Sequence, residues 1–202
     1  MPKPTIEFWY DFASTYSWLS AIRIQAMAAE VQCDIAWRPF LLGPIFKAQG
    51  WATSPFNLYP AKGRYMVRDI TRIAENRGRA FLMPDPFPAN SLVAARLALT
   101  IGVDRIGDFT RRVYEVQFET GADISQRATL EPLLQAMGLD AVAIFAASET
   151  ATVKDALRNN TTQAQALGIF GAPTFVTTDG ELFWGDDRLE QAFDWARKAD
   201  RI

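Results

Sequence analysis

The chain has 202 residues, with 21 Lys plus Arg against 23 Asp plus Glu, no His and a single Cys. A net charge of −2 gives no electrostatic case for a nucleic-acid partner. The lack of His removes Ser-His-Asp triads, imidazole acid–base catalysis and His-based zinc sites, and one Cys removes an internal disulfide, a C-x-x-C redox pair and a Cys-rich metal cage.

In chain order, Thr5 to Tyr10 reads as a strand, rich in β-branched and aromatic residues. Ser14 to about Glu30 reads as one helix, with Trp18, Leu19, Ile22, Ala26 and Ala29 on a common face. Asp34 to Arg38 reads as a second strand, closed by Pro39. The stretch from about 40 to 165 is helical in pattern, with helices over Tyr65–Asn76, Asn90–Ile101 (Asn90 its N-cap), and about 104–119, 128–137, 140–147 and 151–167. Gly102, Gly121, Gly138 and Gly168 punctuate them. Strand character returns at Thr174–Thr177. Asp179-Gly180 signals a hairpin turn, Glu181–Trp184 is the partner strand, and Asp187 opens a last helix to about Lys198. The order β-α-β, helical insertion, β-β-α is that of thioredoxin with about half the chain inserted. The expected fold class is therefore α/β, a thioredoxin-like fold with a large all-helical insertion between the second strand and the Pro173 strand. The expected domains are 1–40 with 165–202, and an insertion over 41–164.

No apolar h-region follows Met1-Pro2-Lys3-Pro4-Thr5 and no run approaches a membrane span, so a cytoplasmic protein with no membrane partner is expected. Cys33 fits a reducing compartment and reads as a half-buried structural residue.

With His and paired Cys gone, chemistry falls to hydroxyls, carboxylates, Lys, Arg, backbone dipoles or a borrowed reagent. Three places stand out. At Asp11-Phe12-Ala13-Ser14-Thr15-Tyr16-Ser17-Trp18 a strand gives way to a helix, whose first N–H groups favour an anion. Ser14 is there either as a plain N-cap or as a hydroxyl facing an anion. At Gly171-Ala172-Pro173-Thr174 the alternatives are an ordinary trans proline, or a cis bond that turns the Ala172 N–H and C=O toward an extended peptide. At Gly185-Asp186-Asp187-Arg188 the carboxylates either cap the last helix or capture a ligand ammonium. Arg64, Arg68 and Arg72 recur at i, i+4, i+8 and read as a solvated or dimer-facing ridge.

Together these stretches resemble the 2-hydroxychromene-2-carboxylate isomerases. That family sits with kappa-class glutathione transferases in a thioredoxin-like superfamily that also holds the Dsb oxidoreductases. The resemblance runs nearly end to end. It is carried by Tyr10–Ser17, Arg38-Pro39-Phe40-Leu41-Leu42-Gly43, Tyr59-Pro60-Ala61-Lys62-Gly63-Arg64-Tyr65, Phe87-Pro88-Ala89-Asn90-Ser91, Gly168–Thr174 and Gly185–Arg188. It implies glutathione as a cofactor that lends its thiol, with Ser14 hydrogen-bonding the thiolate and Ala172, before a cis Pro173, pairing with the glutathione cysteine backbone. It implies that Asp187 binds the γ-glutamyl ammonium. Asp186, where the transferases have Ser, either shares that role or repels the ligand's carboxylate. Lys62 matches a family lysine near the ligand and is placed to answer a substrate carboxylate.

The implied reaction interconverts 2-hydroxychromene-2-carboxylate and trans-o-hydroxybenzylidenepyruvate, a step in breakdown of naphthalene-type aromatics, in a homodimer. The resemblance implies that the glutathione thiolate adds to the ring-opened cis enone to form an enolate, and Lys47, Lys62, Tyr65 and Asn90 are candidates to stabilise it, Lys62 first. Trp51, Phe56, Tyr59 and Phe87, in Pro-rich loops, are expected to wall the aromatic pocket. Trp9, Tyr16, Trp18 and Phe40 are expected in the core. Two positions depart from the family pattern: Thr15 replaces a Pro, and Ala52 replaces an Asn that contacts glutathione in relatives. The alternative functions are a kappa-like transferase acting on xenobiotic electrophiles, which consumes glutathione, and a non-catalytic thioredoxin-like binding module.

Overall fold

The computed structural model describes residues 3–199. Strand β1 (Thr5–Tyr10) alternates its side chains between two faces, as the period of a strand requires. Ile6, Phe8 and Tyr10 enter one buried cluster, and Trp9 enters a second, smaller one. A strand buried on both faces belongs in the middle of a sheet. The four-stranded sheet indeed has the order β2-β1-β3-β4. β2 (Asp34–Pro39) runs parallel to β1, while β3 (Thr174–Thr177) is antiparallel to β1 and β4 (Leu182–Trp184) antiparallel to β3. Trp9 pairs with Arg38 on one side and Thr174 on the other, fixing the register next to the chain reversals that matter below.

On the larger-cluster face lie α1 (Thr15–Ala21), α2 (Ile24–Glu30) and α11 (Leu189–Ala199), which supplies Leu189, Ala192, Phe193 and Ala196. On the other face α3 (Leu42–Ala48) and α10 (Ala151–Ala166) cover Trp9, Phe40 and Val176 with Ile45 and Ala164. Between them in sequence come α4 (Pro55–Leu58), α5 (Pro60–Asn76), α6 (Leu92–Ile101), α7 (Ile106–Thr120), α8 (Arg127–Ala136) and α9 (Ala141–Ser148). The larger cluster is continuous from β1 through α1 into these helices, by way of Met66, Leu97, Phe109, Tyr114 and Leu130. Among the described residues, no helix is long and apolar enough to cross a membrane.

The element order matches the sequence reading, with four local differences. The helix expected over Ser14–Glu30 is two helices. It breaks after Ala21, where the Arg23 N–H turns tightly onto Ser20 O (3.1 Å) and the Arg23 guanidinium reaches Asp186 and Glu190. Helices α3 and α4 were not expected. α5 begins at Pro60, one turn and more before Tyr65, with a proline at its first position as helix starts favour. The last helix is preceded by a 3₁₀ turn over Asp186–Arg188 rather than opening at Asp187. Cys33 is buried rather than half-buried, its Sγ 3.5 Å from Asp34 O.

Candidate functional site

The ends of β1 and β2, the start of β3 and the end of β4 all lie at one end of the sheet. The loops leaving them, with α4 and α5, enclose a cleft of about 1320 Å³. Ser14 is its floor. It is the N-cap of α1, with extended backbone (φ −91°, ψ 116°), and its Oγ accepts the Ser17 N–H at 3.2 Å. The same Oγ donates to Ala172 O at 2.9 Å. The Ala172–Pro173 bond is cis. Ser14 therefore serves as the N-cap of α1, and its hydroxyl proton is given to the proline loop. The proline loop is fixed on either side of Ala172. Thr174 Oγ1 donates to Gly171 O (2.9 Å), and Gly185 N–H to Pro173 O (3.0 Å).

Asp11 holds this floor together. It is 3% exposed and lines the cleft. Its carboxylate accepts Ala13 N–H (2.9 Å) and Leu42 N–H (2.7 Å), and its backbone O accepts Ser14 N–H and Tyr114 Oη–H, each at 2.9 Å. Burial pushes its acidity toward a higher pKa, against the opposing bonds from Leu42, Ser91 and Ala13, and burial prevails. Asp11 thus ties the Ser14 loop to the starts of α3 and α6.

Across the cleft, α5 presents Lys62, Tyr65 and Asp69, at i, i+3 and i+7 and so on one face. The Tyr16 hydroxyl donates to Asp69 Oδ2 at 2.9 Å. Burial and then the adjacent Asp69 raise the pKa of that phenol, so it stays protonated. Lys62 lies over the Tyr59 ring, 5.1 Å from its centroid, and is the one cation among the described residues lining the cleft. The apolar wall is formed by Leu42, Phe46, Trp51, Phe56 and Phe87, with Phe46 and Trp51 in ring contact at 5.7 Å. At the opposite rim, Phe170 and Trp184 are half-exposed with centroids 5.0 Å apart.

Eleven of the thirteen expected site residues line this cleft: Ser14, Trp51, Phe56, Lys62, Tyr65, Phe87, Asn90, Ala172, Pro173, Asp186 and Asp187. Lys47 does not. On α3 its neighbours Ile45 and Phe46 turn to the core and the cleft, which leaves Lys47 exposed outside. Asn90 lies one residue outside α6, whose N-cap is Ser91, and its Oδ1 accepts Leu92 N–H at 3.1 Å. Tyr59 is exposed beneath Lys62 and does not wall the cleft. The Asp186 carboxylate already has partners within the protein. It is 4% exposed and held by Arg77 (2.6 Å), Arg23 (3.3 Å) and Ser20 (2.9 Å). Asp187 is exposed and touches Arg188 at 3.1 Å. Ala52 lines the cleft, and Thr15 takes the first position of α1 and donates to Met66 Sδ at 3.5 Å. Sequence reasoning missed Asp11 and Asp69 as site residues. The spacing from Lys62 along α5 was the signal for Asp69.

A sequence pattern described as "DSBA-like thioredoxin domain" matches residues 5–194. The chain is 29% identical to the 2-hydroxychromene-2-carboxylate isomerase of Sphingobium xenophagum, over 92% of this chain and 94% of that one. It is 25% identical to glutathione S-transferase kappa 2 of Caenorhabditis elegans, over 96% and 92%. A solved structure of a 2-hydroxychromene-2-carboxylate isomerase superposes with a TM-score of 0.88 at 21% identity, covering 98% of this chain and 96% of the other.

Proposed function

This chain belongs to the DsbA-like thioredoxin domain family, and from that premise we propose that it is a glutathione-dependent isomerase of an aromatic conjugated carbonyl compound. One observation carries the reading: at the place where a thiol would sit in a dithiol oxidoreductase, the cleft floor holds the Ser14 hydroxyl opposite Ala172 O, and Cys33 lies elsewhere, immediately before β2. The sulfur must then come from a ligand. The cleft, at about 1320 Å³, exceeds the usual 300–1,000 Å³ of a single small-molecule site. It suits a tripeptide along the Ala172 loop and a flat aromatic against Phe46, Trp51, Phe56 and Phe87.

In this reading Ala172 pairs with the cysteine backbone of glutathione, Asp187 meets the γ-glutamyl ammonium, and the Ser14 hydroxyl donates to the thiolate. A free thiol, with a pKa of about 8.5, is mostly protonated at neutral pH. A hydrogen bond to an anion, at about 1.5–3 kcal/mol, shifts that balance by one to two units. The hemiketal of the chromene first opens: its ring C–O bond breaks, the ring oxygen takes a proton as the phenol, and the hemiketal hydroxyl loses its proton to become the ketone of a cis enone, whose β-carbon the thiolate attacks. A C–S bond forms, and the π pair moves onto the carbonyl oxygen as an enolate. The former double bond, now single, rotates. The enolate pair returns and the C–S bond breaks, releasing the trans enone and the same thiolate. Lys62 and Asn90, which both line the cleft, supply the charge and the hydrogen bond that the enolate needs.

The substrate pair we propose is 2-hydroxychromene-2-carboxylate and trans-o-hydroxybenzylidenepyruvate. The test follows the ultraviolet spectrum of the chromene with and without glutathione while total thiol is titrated. Conversion only with glutathione, at constant thiol, is the expected result. Conversion without glutathione, or none with it, refutes the assignment. The relative named as a kappa transferase favours one second reading, conjugation, in which thiol falls as product forms.

A further inference from the structure

We infer that the peptide N–H of the ligand is what frees the Ser14 proton for sulfur, so that the cleft activates a thiol carried on a peptide and not a thiol alone. This rests on the glutathione reading above. A serine hydroxyl has one proton and two lone pairs. Here one lone pair accepts Ser17 N–H at 3.2 Å, and the proton is already given to Ala172 O at 2.9 Å. Ser14 thus has no donor to spare for a thiolate in this arrangement. Turning the hydroxyl toward a sulfur strips Ala172 O of its partner. Among the described residues no other donor reaches that oxygen, because the adjacent carbonyls of Gly171 and Pro173 take the Thr174 hydroxyl and the Gly185 N–H for themselves.

A half-buried carbonyl left without a donor opposes the turn. An extended peptide laid along the proline loop as an added strand removes the opposition, since its N–H replaces the hydroxyl on Ala172 O. The exchange is then balanced. Ala172 keeps one donor, Ser14 keeps its proton and redirects it, and the only bond broken is the ligand S–H, whose proton leaves to water. A simple thiol gains the sulfur contact and loses the Ala172 bond, so its acidity changes little on binding.

Ala172-Pro173 is the one Ala-Pro step in the sequence, so labelling the alanine carbonyl carbon and the proline nitrogen isolates the Ala172 carbonyl signal by nuclear magnetic resonance. Without ligand, Ser14→Ala should move that signal. At saturating glutathione the wild-type and Ser14→Ala signals should coincide, because the same ligand N–H now serves both. A difference that persists at saturation overturns the exchange. The second measurement uses wild-type protein and the thiolate ultraviolet band. Bound glutathione should have a thiol pKa about one unit below that of the analogue whose cysteine amide N–H is replaced by an ester oxygen. That unit is a tenfold difference in ionisation, or about 1.36 kcal/mol. Equal pKa values for the two bound thiols overturn the inference and leave the glutathione reading intact. No saturable response to glutathione by either method overturns both.

Discussion

Ser14 is 8% exposed and bonded on both sides before any ligand arrives, so its role is separable from its cap. Ser14→Ala removes the N-cap acceptor, which costs about 1 kcal/mol in helix stability. On the proposed function it also removes the donor to sulfur. The bound glutathione thiol should then rise by about one to two pKa units, the equivalent of about 1.5–3 kcal/mol for a bond to an anion. An ultraviolet titration of the bound thiol reads the shift, and a melting curve run in parallel separates it from the lost cap. A variant with an unchanged thiol pKa would remove Ser14 from the chemistry. At this scale the sequence was informative where chemistry is set by chain neighbours. Ser14, Ala172 and Pro173 sit at chain reversals whose local residues announce them. The ion pairs of Asp186 are not legible in the sequence, because its partners Arg23 and Arg77 lie 163 and 109 positions away. No local pattern shows a carboxylate already taken by distant guanidinium groups.

At the scale of elements, the long periodic helices and the β3–β4 hairpin were legible, since each is specified within its own segment. The short helices α3 and α4 were not. With seven and four residues they span too few turns to show a period. The proline at the first position of α4 and the Ser54 cap, which accepts Phe56 N–H at 3.2 Å, were the available signs. The break between α1 and α2 has neither Gly nor Pro and follows from the tertiary pull on Arg23. The α4–α5 corner also carries a prediction. A Cβ on Gly63 would lie 2.5 Å from Phe56 O, a backbone atom, so α4 must move to admit it. Phe56 is a wall of the cleft. Gly63→Ala should therefore lose about 1–3 kcal/mol to overpacking, offset by up to about 1 kcal/mol of helix propensity. It should raise the KM for the aromatic substrate several-fold more than the KM for glutathione. Chemical denaturation gives the first number and a two-substrate steady-state analysis the second. Equal changes in the two KM values would take Phe56 out of the aromatic wall.

For the whole molecule, acid stability is set by carboxylates whose folded acidities move in opposite directions. The bond from Arg23 holds Glu190 below its ordinary value of 4.5, so its contribution is present above that value and is lost as pH falls through the lower folded one. Asp179 behaves alike, held below 3.8 by the Thr177 and Trp195 bonds. Asp11 runs the other way. Burial raises it above 3.8, so the folded chain binds a proton more tightly than the unfolded chain. Its contribution is complete below about 3.8 and is lost as pH rises through the higher folded value. On acidification Asp11 therefore offsets part of what Glu190 and Asp179 give up. Asp11→Asn abolishes that titration while leaving those of Glu190, Asp179 and the other lowered carboxylates in place. The variant also sets an amide NH₂ against the N–H of Ala13 or Leu42, so its stability at neutral pH reflects a lost acceptor as well as a removed charge. The slope with pH isolates the titration from that constant term. Urea midpoints taken from neutral pH down to about pH 3.5 should fall more steeply for Asp11→Asn than for the wild type. Parallel slopes would mean that Asp11 does not change its proton occupancy on folding, and that its hydrogen bonds from the Ala13 and Leu42 backbone and from Ser91 fully compensate its burial.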